Sequence, residues 1–94
     1  MEKMQLVGLS ELRAVVGAGA VLSVTLVGVD DGWMTRIATR TGMLSLMSTR
    51  VRAKPRSFAD PRSAFTLFRE LGIVDLKIDN RSWSPEQKPI LGAA

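Results

Sequence analysis

The chain has 94 residues, 46% of them apolar, enough for one small packed domain and too many for a disordered segment. It contains neither cysteine nor histidine, which excludes disulfides, thiolate metal sites and the usual neutral-pH general base. Thirteen Lys and Arg against nine Asp and Glu leave a net charge of +4.

No apolar run approaches the roughly 20 residues that span a bilayer. The longest candidate, Ala18 to Val29, is broken by Ser23, Thr25 and two glycines. The first residues lack a basic segment followed by a cleavable apolar one, so a cytoplasmic protein without a membrane segment is expected.

Residues 1–9 read either as a short strand around Met4–Val7 or as a frayed end. Ser10 offers an N-cap and Glu11 suits the helix dipole, predicting about two helical turns over Leu12, Val15 and Val16 before Gly17 and Gly19. Val21–Val29 reads as a strand apolar on both faces, either central or covered on two sides, with Leu22, Val24 and Leu26 together on one face. Asp30-Asp31-Gly32 predicts a tight hairpin, with Gly32 supplying a positive φ.

A second strand follows over Trp33–Arg40, placing Met34, Arg36, Ala38 and Arg40 on one face. After the Thr41-Gly42 turn, a third is expected from Met43 to about Arg52. Its face is apolar at Leu44 and Leu46 but basic at Arg50 and Arg52, so the strand either leaves the core or bulges.

Asp60-Pro61 opens a helix whose apolar stripe is Ala64, Leu67, Phe68 and Leu71, and Gly72 ends it. Val74, Leu76 and Ile78 then alternate with Asp75, Lys77 and Asp79 as a half-buried edge strand. The expected fold is α+β, a two-layer sandwich of order αβββαβ. Its sheet is mainly antiparallel, with a helix packed on one face. Residues 1–84 form the domain and 85–94 a loosely ordered tail. Two partly apolar sheet faces exceed what two short helices cover, so a homodimer is expected.

The charge is concentrated. Between positions 36 and 62, seven cations (Arg36, Arg40, Arg50, Arg52, Lys54, Arg56 and Arg62) meet only Asp60 among the acids. Such asymmetry points to an anionic partner, either nucleic acid or an acidic protein surface; its plainer reading is a solvated face. Arginine, which dominates the set, matches phosphate or carboxylate with two parallel hydrogen bonds. Trp33, Met34 and Trp83 are candidate apolar partner contacts, the tryptophans alternatively being packing residues.

With no His, Cys or Tyr and no glycine-rich phosphate loop, no catalytic constellation forms. Asp30 and Asp31 belong to a turn, and Asp75 and Asp79 read better as a solvated strand face than as a metal dyad. No enzyme, metal, cofactor or small-molecule substrate is expected.

The Gly32-Trp33 hairpin, the Arg56-Ser57-Phe58 lead-in, the Ala64…Leu71-Gly72-Ile73 helix end and the alternating Asp75/Asp79 strand resemble short ParC-type partition-associated proteins of plasmids and integrative elements. The resemblance covers roughly residues 10–80. It implies an accessory of plasmid or element maintenance, acting beside a partition ATPase and a DNA-binding partner. It assigns no catalytic or binding residue. The αβββα order is also similar to double-stranded RNA-binding domains, although only Arg62 stands where those carry a lysine cluster. Integrase arm-binding domains share the three strands and helix. These likenesses are topological.

The leading expectation is a non-enzymatic accessory protein of a mobile element that binds DNA phosphates through its arginines. The alternative is an inhibitor or adaptor that docks the same arginines on an acidic partner protein, with Met34 and the Trp33 hairpin as anchors.

Overall fold

The computed structural model describes residues 4–48 and 53–84. Its elements are β1 (Met4–Val7), α1 (Leu9–Gly17), β2 (Val21–Asp30), β3 (Gly32–Thr39), β4 (Gly42–Leu46), α2 (Pro61–Glu70) and β5 (Lys77–Trp83). The class is α+β, and Met4–Val7 is a true strand, so the order is βαβββαβ. The sheet runs β1-β4-β3-β2-β5. Its inner strands pair antiparallel, as expected, whereas both edges pair parallel, β1 with β4 and β5 with β2.

Those parallel edges fix where the helices go. β1–α1–β2 and β4–α2–β5 are crossover units between strands of the same sense, and both move across the sheet in the same direction. Right-handed crossovers then lay both helices on one face. The core agrees: Leu12 of α1 and Ala64 and Phe68 of α2 join one buried cluster with Val24, Leu26, Ile37 and Leu46. The register places those strand residues on a common face, since Val24 pairs with Ile37 and Ile37 with Leu44. Two helices, not the single one expected, therefore cover one side of the sheet.

Local chemistry explains the boundaries. Gly8, not Ser10, caps α1, and the Glu11 carboxylate accepts a 3.3 Å hydrogen bond from the Gly8 amide. α2 begins as its sequence dictates: the Asp60 carboxylate accepts from the Arg62 amide at 2.9 Å, with Pro61 in the first turn. Gly72, at φ 93°, carries the chain out of the helix.

In β2 a register shift between Val21 and Ser23 leaves Leu22 61% exposed, so Val21, not Leu22, packs on the core. In the hairpin the positive φ, 55°, belongs to Asp30, a residue type that tolerates it. Gly32 is needed for a different reason: a Cβ there would collide with the Ser57 Oγ.

β4 stops at Leu46, well short of the expected Arg52, because β3 and β4 splay apart there. The Leu46 amide donates to the Thr35 hydroxyl at 2.9 Å instead of to a β3 carbonyl. The gap is filled by the segment leading to α2. Phe58 exchanges two 2.8 Å backbone hydrogen bonds with Trp33, and the Arg56 amide donates to the Leu46 carbonyl at 2.7 Å. The basic residues Arg50 and Arg52, and the tail expected over 85–94, lie outside the described residues.

Candidate functional site

One face of the sheet holds both helices; the other, among the described residues, carries none. It is formed by the positions that alternate with the core residues. Across its centre run Met34, Arg36 and Ala38 of β3, beside Thr25, Val27 and Val29 of β2, all half-buried. Met43 of β4 lies on the same face, next to Met4 and Leu6 of β1. Asp79 of β5 is level with Val27. The result is a surface methionine-rich toward β1 and more polar toward β5, with Arg36 near its middle and Ser45 of β4, 1% exposed, covered within it.

No aromatic ring belongs to this face. Trp33 is 6% exposed and lies on the helix side, in register with Gly28. Trp83 stacks against it with ring centroids 5.3 Å apart, in a slot that Gly28 leaves open. Trp33 is packed in the core, and Trp83, 36% exposed, lies over it as a half-open lid. The Trp33 indole N–H has no hydrogen-bond partner among the described residues.

The structure separates the basic residues predicted to act together. Arg36 lies on the open face. Arg40 occupies the β3–β4 turn, roughly 17 Å along β3 from Thr35, beside which the splayed end of β4 begins. Lys54, Arg56 and Arg62 are at that splayed end, Lys54 and Arg62 exposed and Arg56 with its guanidinium 4.5 Å above the Phe58 ring. Asp30, Asp31 and Asp60 are placed at the same end by the hairpin turn and the helix cap. Among the described residues the only salt bridge is Arg81 to Asp79, at 2.8 Å. Arg36, Arg40, Lys54, Arg56 and Arg62 form none there.

Asp79 is the most perturbed acid of the described chain. Hydrogen bonds from the Arg81 side chain and then from its backbone amide pull its carboxyl down to about 2, with the charges of Arg81 and Arg36 adding to the effect. The influence of Arg36 across the intervening β2 fits both groups standing on the open face.

The sequence reading missed one feature. Val74 was expected inside an alternating strand, yet β5 starts only at Lys77 and Val74 is 73% exposed. It forms the ridge between two adjoining hollows of about 320 and 290 Å³ on the helix side. Its only sequence signal is the unbroken apolar pair Ile73-Val74 directly after a helix-ending glycine.

No protein-family model matches the chain, and comparison with curated proteins and with solved structures gives no match either.

Proposed function

We propose that this protein is a non-enzymatic protein-binding module that docks its open sheet face on a partner with an apolar surface and an acidic group for Arg36. The observation that carries this reading is the sheet face itself: five strands wide, free of helices among the described residues, and apolar around Arg36, which forms no salt bridge among those residues. Burying Met4, Leu6, Met34, Met43, Val27 and Val29 gains free energy only against another apolar surface. Methionine side chains adapt to such a partner. A phosphate backbone offers no equivalent, and bases would find no ring to stack on here. A chain without His, Cys or Tyr is suited to binding and poorly equipped for catalysis. A cytoplasmic setting accords with its lack of cysteine.

The test is a photo-cross-linking residue placed in the full chain at Met34 or Thr25, and as a control at Ser63 on α2. The expected outcome is a discrete protein adduct at the first two positions, absent at the third, and lost on Arg36→Glu.

A second reading keeps the arginines for DNA in the maintenance of a plasmid or mobile element. It is favoured by Arg36, Arg40, Lys54, Arg56 and Arg62 forming no salt bridge among the described residues. It predicts a mobility shift of random duplex that weakens steeply with salt. Such a shift, with no protein adduct on the sheet face, would replace the first reading.

A further inference from the structure

On the helix side, away from the open sheet face, the structure exposes a second apolar surface. Of the large hydrophobic side chains exposed among the described residues, Leu22, Phe65, Val74 and Ile78 all border the two adjoining hollows. Val74 lines both. Phe65, Ile78 and Arg69 flank it on one side; Leu22 and Asp75 flank it on the other. Neither Arg69 nor Asp75 forms a salt bridge among the described residues. A monomer that leaves four large apolar side chains around two concavities has an unfilled surface.

The distribution of charge says what fills it. An apolar centre with a cation on one side and an anion on the other is complementary to itself: rotation by a half-turn about Val74 sets Arg69 against Asp75 and Asp75 against Arg69. That is the requirement of an isologous interface, in which the same patch serves both copies. We propose that the occupant is a second copy of this chain, docked about a two-fold axis at Val74. Arg69 and Asp75 form two symmetry-related ion pairs, and the Phe65 and Leu22 sides of the two hollows face each other. The dimer leaves both open sheet faces free, so it stands independently of the function proposed above.

Sedimentation of the full chain over a concentration series tests this. The expected result is a reversible monomer–dimer equilibrium. Val74→Asp should abolish the dimer without altering the far-ultraviolet circular dichroism. Arg69→Asp and Asp75→Arg should each weaken it by about tenfold or more, because one reversal places two like-charge contacts in the interface. The double variant Arg69→Asp/Asp75→Arg should restore it, which a general loss of solubility or fold would not do. A chain monomeric at every concentration overturns the proposal. So does a dimer that ignores Val74→Asp but dissolves on Met43→Asp, since its interface would then be the open sheet face.

Discussion

Gly28 and Gly32 are both glycine because another side chain stands where a Cβ would go, not because their backbone demands it. At Gly28 the obstacle is Trp83, with Trp33 Cζ3 only 3.2 Å from the added carbon. The Trp83 Cβ is fixed to the β5 backbone, so the clash is relieved only by displacing Trp83 from its place against Trp33. Gly28→Ala is therefore expected to cost about 1–3 kcal/mol in urea unfolding and to expose Trp83, seen as red-shifted fluorescence. Asp79 makes a different prediction at the same scale. Its folded carboxyl titrates near 2, below the ordinary 3.8, so folding is favoured by its ionised form. That contribution is complete above the ordinary value and disappears as the pH falls from about 4 toward 2. A carboxyl-detected NMR titration should place the Asp79 midpoint near 2, and Arg81→Ala should return it toward the ordinary range. An ordinary midpoint in the unaltered chain would contradict the Arg81 contact.

At the scale of elements, the splay between β3 and β4 depends on one hydroxyl. Thr35 is 1% exposed and Leu46 equally so, which leaves the Leu46 amide no solvent to turn to. Thr35→Val keeps the shape and removes the acceptor, and should destabilise the fold by about 1–3 kcal/mol in denaturant unfolding. The helix α2 depends in the same way on its cap: Asp60→Ala should cost about 1 kcal/mol. Only the second of these was legible in the sequence. Asp60-Pro61 and Gly72 act on their own neighbours, so the bounds of α2 follow from local chemistry alone. The Thr35 contact joins residues eleven apart, and the filling of the gap by Arg56 and Phe58 depends on where β3 already lies. The change from apolar to basic along Met43–Arg52 suggested that the strand either leaves the core or bulges, but not that Arg56 and Phe58 would follow β4 beside β3. Leu22 shows the limit of period-two counting: one extra residue in β2 moved Val21 into its place.

Across the whole molecule, chain direction decides what remains exposed. The sequence predicts helices and strands well enough to give an α+β class, but it does not reveal that both sheet edges pair parallel. Without that pairing there is no reason for the helices to share a side. With it, handedness puts both on one face and uncovers the other. The two faces of the same strand must then respond differently to substitution. In β2, Val24 and Leu26 are 1% and 0% exposed beneath the helices, whereas Thr25 and Val27 between them are half-buried on the open side. Leu26→Ala is expected to cost about 2–5 kcal/mol through the cavity it leaves. Thr25→Gln, one residue away, should change stability by no more than about 0.5 kcal/mol, because the glutamine extends into solvent and adds no charge beside Arg36 and Lys77, its partners in register. Urea unfolding of the two variants side by side measures the contrast. Equal losses at positions 25 and 26 would mean that both faces of β2 are packed, and the docking surface proposed for this protein would not exist. A large loss confined to position 26 leaves a face whose apolar residues the fold itself does not require.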